Sequence, residues 1–174
     1  MAIHIIIDGY NLIRQSSDLS RLDRQDLQLG REALIDLLAA YKKLKPHKIT
    51  VVFDGADQAS LYGSRDRAKG IVIRYSQGGE SADDLIRRMA RKEKTKALVV
   101  SSDREVMAAA ESTGATVMDS PSFEEKVAMA SYLAIKGDGE TNESRGWVPT
   151  TRKKGPSRRL PKRKRKAKAR MDKL

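Results

Sequence analysis

The chain contains no cysteine. That absence removes disulfide staples, thiolate metal sites and cysteine nucleophiles together, and it leans toward a reducing compartment. Histidine is almost missing as well. The two present, His4 inside an apolar run and His47 after a proline, have no nucleophile partner in the sequence, so a histidine-based mechanism is unsupported. Long apolar runs are also lacking. The one near the N-terminus stops at Asp8 after five residues, too short for a signal-peptide core or a membrane span. No G-x-G-x-x-G follows the first strand, and no G-x-x-x-x-G-K-[ST] occurs anywhere, which argues against dinucleotide enzymes and P-loop triphosphatases. Together these absences predict a soluble, cytoplasmic protein without a membrane role.

The charge is abundant but lopsided. Residues 136–174 hold 15 Lys/Arg against 4 Asp/Glu, and residues 1–135 hold 20 against 19. A near-neutral domain is therefore joined to a cationic tail. At 174 residues there is room for one domain with a full core plus an extension. An excess of positive charge in one segment makes polyanions, nucleic acid first, the expected partner.

Apolar periodicity organises residues 1–136. Residues 3–7, 49–53, 71–73, 97–100 and 115–118 are short, largely β-branched runs that read as buried strands. Between them, Leu34, Leu37, Leu38, Tyr41 and Leu44 recur at helical spacing up to Pro46. Ser81 with Asp84 forms a capping box ahead of Leu85, Ile86 and Met89. Ser102 with Glu105 reads as a second box, and Ser120-Pro121 opens a last helix bearing Phe123, Val127 and Ala130. Residues 14–26 and 56–70 read as polar connections. Strands alternating with helices predict an α/β domain in three layers, with a mostly parallel sheet covered on both faces.

Four of the five predicted strands end in an aspartate: Asp8, Asp54, Asp103 and Asp119. Asp83 and Asp84 open the helix after the third strand. In a parallel sheet these positions converge on one edge, where open α/β sheets place their ligands. Crowded carboxylates cost free energy unless neutralised, and hard oxygen ligands without His or Cys suit Mg²⁺ or Mn²⁺. Such an ion lowers the pKa of bound water and offsets charge on a phosphodiester. Each aspartate also has a local explanation as a cap or turn residue. Asp84 belongs to its capping box and Asp119 to helix initiation. Asn11 is a candidate for orienting water or phosphate and equally a turn residue, Glu80 a candidate metal ligand or a group supporting one from behind, and Ser102 a candidate for positioning Asp103.

Ile-Ile-Asp-Gly-Tyr-Asn at 6–11, Val-Phe-Asp-Gly at 52–55, Glu-Ser-Ala-Asp at 80–83 and Val-Ser-Ser-Asp at 100–103 resemble the YacP-like branch of the NYN domain family, within the wider PIN-like nucleases. The resemblance covers about residues 1–136. It implies a PIN-like α/β/α domain with metal-dependent endoribonuclease activity. By motif, Asp8, Asp83 and Asp103 match the acids that hold the metal, Asn11 the amide of the first motif, and Asp54 the acidic end of the second strand. Asp119 lies where a less constant fourth acid occurs. Members of such families also include RNA binders with weak or no cleavage, so a non-catalytic RNA- or ribosome-binding module is the alternative.

The tail, 137–174, is expected to be disordered on its own, because it has almost nothing apolar to bury. Arg152, Lys153, Lys154, Arg158, Arg159, Lys162, Arg163, Lys164, Arg165 and Lys166 are its candidate RNA-phosphate contacts. Trp147, just before them, suits either stacking on a base or anchoring the tail. Messenger RNA, ribosomal RNA and the ribosome itself are the candidate targets.

Overall fold

The computed structural model describes residues 3–55, 65–137 and 161–174. Six strands form one sheet in the order β3-β4-β2-β1-β5-β6: β1 (His4–Asp8), β2 (Lys48–Phe53), β3 (Arg65–Ala68), β4 (Ile71–Tyr75), β5 (Ala97–Val100) and β6 (Thr116–Met118). All pairings are parallel except β3 with β4. The predicted three-layer α/β architecture is what forms.

Strand alternation sorts the core into two faces. Ile5, Ile7, Ile49, Val51, Phe53, Leu98 and Val100 point to one side. There they meet α1 (Gly9–Gln15), α2 (Ser17–Asp23), α3 (Leu27–Leu44) and α6 (Ser120–Gly137). Ile6, Val52, Ala97 and Val99 point to the other side, against α4 (Ala82–Glu93) and α5 (Arg104–Ser112). Ile5, Ile6 and Ile7 are all fully buried, each contributing roughly 1.5–3 kcal/mol by leaving water. His4 is buried in the same strand, with Nε2 2.9 Å from the Thr50 hydroxyl and Nδ1 3.1 Å from Glu93. Among the described residues, no helix is long and apolar enough to cross a membrane.

Three local expectations are corrected. Residues 14–26, read as irregular, lie mostly in α1 and α2. Ser16 ends the first helix through its backbone N–H and caps the second through its side chain. Two seven-residue helices are too short to display a 3.6-residue period. The second correction is β3, which occupies part of the connection read across 56–70. Its sequence, Arg-Asp-Arg-Ala, has neither β-branched residues nor aromatics, so pairing to β4 decides its conformation rather than propensity.

The third correction concerns the tail. Residues 138–160, including Trp147, Arg152, Lys153, Lys154, Arg158 and Arg159, lie outside the described residues. At 162–171, where disorder was expected, the chain forms α7 (Lys162–Met171). Lys, Arg and Ala are strong helix formers, but ten residues do not hold a helix in water without tertiary contacts. The C-terminal end of the chain supplies those contacts. Leu174 is 5 % exposed, and Met171 packs against the core. The Tyr41 hydroxyl, its pKa pushed up to about 12 by burial, donates to the Leu174 carbonyl at 2.9 Å. Arg170 donates to the Thr116 hydroxyl at 2.8 Å, and Arg163 donates to the Glu111 carbonyl. The few apolar side chains at this end are enough to seat the helix.

Candidate functional site

The order of strands reverses around β1. The chain leaves β1 for β2 and β4 on one side, then crosses to β5 and β6 on the other. Such a switch point opens a crevice outside the carboxyl ends of its strands. Register fills that crevice. With Ile7 opposite Val100, Asp8 ends β1 beside Ser101, the residue after β5.

Asp8 is 9 % exposed. Its Oδ1 accepts from the Asn11 backbone N–H at 3.2 Å, capping α1, and its Oδ2 accepts from the Ser101 hydroxyl at 3.2 Å. Ser101 is fully buried, and the same hydroxyl accepts the Asp103 N–H at 3.1 Å. One side chain thus ties Asp8 at the end of β1 to Asp103 at the start of α5. Asp103 caps α5, its Oδ1 accepting from Glu105 and Val106 N–H at 2.7 and 3.2 Å. The cap is therefore Asp103 rather than Ser102, and the positioning role expected of Ser102 falls to Ser101.

Asn11 acts as a staple. Its Oδ1 accepts from the Ser102 N–H and from the hydroxyl of buried Ser120, both at 2.8 Å. The carboxyl ends of β1 and β5 and the start of α6 are held by that one amide oxygen. Asp54 is exposed, accepting from the Ser76 hydroxyl at 2.8 Å, while Ser76 also accepts the Gly55 N–H at 3.0 Å. Beyond it lies a cleft of about 450 Å³ bounded by Asp54 and the 76–81 loop.

Asp83 stands in the first turn of α4, half-buried. Asp84 completes the predicted capping box with Ser81, whose hydroxyl holds its carboxyl below the usual range. Asp119 is held low by Ser122, accepting from its N–H and hydroxyl at 2.9 Å each. Both match the local roles read from sequence. Glu80 is engaged by Arg88 at 2.7 Å.

Two of these acids have carboxyls pushed above their usual range. Burial pushes the Asp8 carboxyl up against the lowering pull of its two hydrogen bonds, and the charges of Asp83 and Asp103 push it further. Asp83 is likewise raised by burial first, then by Asp103, with Arg87 opposing and Asp84 and Asp54 adding. Asp8, Asp54, Asp83 and Asp103 therefore share one field at one edge, as neighbouring like charges do, with Arg87 offsetting part of it at Asp83. Arg87 is the nearby cation, 3.8 Å from both Asp84 and Glu105. Ser101, Ser120 and Arg87 were missed by sequence reasoning. Only the Ser-Ser-Asp run after β5 carried a signal, and it pointed one residue too far.

The donor set is all hard oxygen, which suits Mg²⁺ or Mn²⁺. Among the described residues, no three acidic or imidazole side chains converge tightly enough to form a ready cage for an ion. Mg²⁺ does not need one: it keeps several waters and uses one or two carboxylates. Two raised carboxyls in one field, with Arg87 opposing at Asp83 alone among the described residues, fit a cation held in that way.

Known proteins share this fold. A protein called YacP from Bacillus subtilis (strain 168), whose name marks it as uncharacterised, is 28 % identical over 87 residues, 50 % of this chain and 51 % of that protein. The alignment thus spans about half the length of that relative. Two crystal structures of Rae1 (YacP) from Bacillus subtilis, one of a point mutant, superpose with TM-scores of 0.65 and 0.64. They are 21 and 22 % identical, covering 79 and 77 % of this chain and 80 % of each of those. At that identity the likeness concerns the fold. Residues 5–171 match the YacP-like NYN domain, a span that runs through the acidic edge and on to the end of α7. The chain belongs to the YacP-like NYN domain family, whose domains are of nuclease type.

Proposed function

We propose that this protein is a metal-dependent endoribonuclease of the cytoplasm that hydrolyses phosphodiester bonds in messenger or ribosomal RNA. The observation that carries the reading is the shared field of Asp8, Asp83 and Asp103 at the switch point. These three would hold Mg²⁺ or Mn²⁺, with Asp54 at the rim toward the adjoining cleft. When bound, the ion supplies an activated water and a counter-charge for the phosphate. The protein's own part is orientation. Ser101 fixes the Asp8 carboxylate through Oδ2 and the backbone of Asp103 through its N–H. Asn11, its Oδ1 committed to Ser102 and Ser120, has its amide N–H groups left to donate to a phosphate oxygen.

The basic tail supplies affinity rather than chemistry. α7 is tied to the start of β6, where Arg170 donates to the Thr116 hydroxyl, and the residues just after it reach the α3–β2 connection, where His47 meets the Lys173 carbonyl at 3.3 Å. That is the edge where parallel strands begin, opposite the acidic one. Lys162, Arg163, Lys164, Arg165 and Lys166 in α7, with the basic residues before them, then bind RNA phosphates a domain's width from the cut. Substrates long enough to reach both edges, structured RNA or the ribosome, are favoured.

The test is cleavage of RNA with Mg²⁺ or Mn²⁺ by wild type, Asp8→Asn and Asp83→Asn. Loss in both variants and on chelation is expected; activity surviving all three contradicts the mechanism. A second reading, a non-catalytic RNA- or ribosome-binding module on the same fold, draws on the lack of a ready three-carboxylate cage among the described residues. It predicts salt-sensitive binding that depends on residues 138–174, with no metal-dependent cleavage.

A further inference from the structure

On the other face of the sheet, directly behind the acidic edge, four side chains form a cluster that the chemistry above does not use. The Arg31 guanidinium lies 5.4, 5.5 and 5.8 Å from the ring centroids of Tyr10, Phe53 and Tyr75. Phe53 and Tyr75 stack at 5.9 Å with an interplanar angle of 27°, and Tyr10 meets Phe53 edge-on at 5.1 Å. Arg31 is 6 % exposed and donates from Nε to the Tyr10 hydroxyl at 2.9 Å. Its orientation is therefore fixed.

Core packing alone would close such a cluster. Instead it borders a cavity of about 330 Å³ between α3 and the β3–β4 pair, with Arg31, Phe53 and Tyr75 in its wall and Gln28 and Asp66 among its polar groups. That volume lies in the range of small-ligand sites, and the lining is mixed, with the Phe53 and Tyr75 rings beside Glu32, Asp36 and Lys69. Unpaired nucleobases are recognised by stacking on aromatic rings and guanidinium planes, with hydrogen bonds to their edges. The placement agrees. Phe53 is followed at once by Asp54, about 3.8 Å away between Cα atoms, and Tyr10 follows Asp8 by two residues. A strand crossing the edge between β1 and β2 would leave a phosphate on the acidic side and a base on the aromatic side.

We infer that the cavity between α3 and β3–β4 is a base-binding subsite for a single-stranded segment of RNA, with Tyr75 as the stacking ring. This deepens the endoribonuclease reading and rests on it for the identity of the ligand. The consequence is a preference for unpaired substrate, because a base within a duplex cannot enter.

The experiment measures binding and cleavage of a short RNA carrying one abasic nucleotide at successive positions, using the full chain. Binding is measured with chelator, in salt high enough to suppress phosphate contacts by the tail. Wild type should bind about tenfold more weakly when one fixed position is abasic, within what a single stacked base contributes, with kcat unchanged and KM raised. Tyr75→Leu and Ala68→Phe, the latter filling the cavity, should abolish that difference, and Tyr75→Phe should keep it. Equal binding at every abasic position, or a penalty that survives both Tyr75→Leu and Ala68→Phe, overturns the subsite and leaves the nuclease reading standing. A position-specific penalty without metal-dependent cleavage supports the subsite and overturns the nuclease instead.

Discussion

Asp8 is held by two hydrogen bonds, yet its carboxyl is pushed up by burial and by neighbouring carboxylates. Holding charge there costs stability that a cation would return. Asp8→Asn should therefore raise Tm in metal-free buffer by ~2–4 °C, as about 1 kcal/mol does for a domain of this size, while activity is lost. Wild type should gain Tm on addition of Mg²⁺ or Mn²⁺ by mass action, and the variant should gain less. Differential scanning calorimetry with and without the ion checks both; a less stable Asp8→Asn contradicts the account of strain. Asn11 shows a related dependence on context. Turn former and site residue were the two readings of its sequence position, and its oxygen proves to accept from Ser102, 91 residues away in sequence. Nothing local to Asp-Gly-Tyr-Asn records that partner.

At the scale of elements, the glycines after the strand-end aspartates are set by packing rather than by turn chemistry. A Cβ on Gly9 would lie 2.3 Å from the Phe53 ring, and one on Gly55 would lie 2.3 Å from the Ser76 carbonyl oxygen. The second obstacle is backbone and cannot rotate away. Gly55→Ala should cost about 1–3 kcal/mol, read by urea unfolding, and a neutral result would contradict the close approach. The strands were legible because apolar runs survive any context, and the Ser81–Asp84 box because it is entirely local. The two short helices after β1 were not, being too short to show a helical period; nor was β3, whose pairing to the adjacent β4 overrides propensity, nor the docked α7, whose partners are distant in sequence. For α7 the partner is the seat around Leu174. Leu174→Ala should cost about 2 kcal/mol, near the low end for buried leucine, and should speed amide exchange across 162–171. Unchanged exchange would mean that the helix is held elsewhere.

At the scale of the whole molecule, the charge division read from sequence becomes a division of space: an acidic edge where strands end and a cationic helix where they begin. That Asp8, Asp83 and Asp103 lie at the same edge was legible because a parallel sheet puts strand ends and the helix starts after them on one side. The Arg31 cluster was not, because Tyr10, Arg31, Phe53 and Tyr75 share no motif or spacing. Global stability also carries one pH signature. Burial lowers the His4 pKa below 6.5, outweighing the raising effect of Glu93, with Lys48 and Arg74 adding to the lowering. Below about pH 6.5 the unfolded chain binds the proton more readily, so this contribution is present above that pH and is lost as pH falls. Wild type should lose more Tm than His4→Gln between pH 7.5 and 5.5, and equal losses would contradict a buried neutral imidazole.

The central claim is that the acidic edge cuts RNA with the help of a divalent ion. Its most direct measurement is the single-turnover cleavage rate of an end-labelled single-stranded RNA by wild type and Asp83→Asn, each with Mg²⁺, Mn²⁺ or chelator. The account predicts internal cleavage by wild type only when an ion is present, and a loss of at least about a hundredfold in the variant, the scale set by removing one electrostatic group at a reacting centre. Equal rates for the two proteins, or cleavage that persists in chelator, would contradict it.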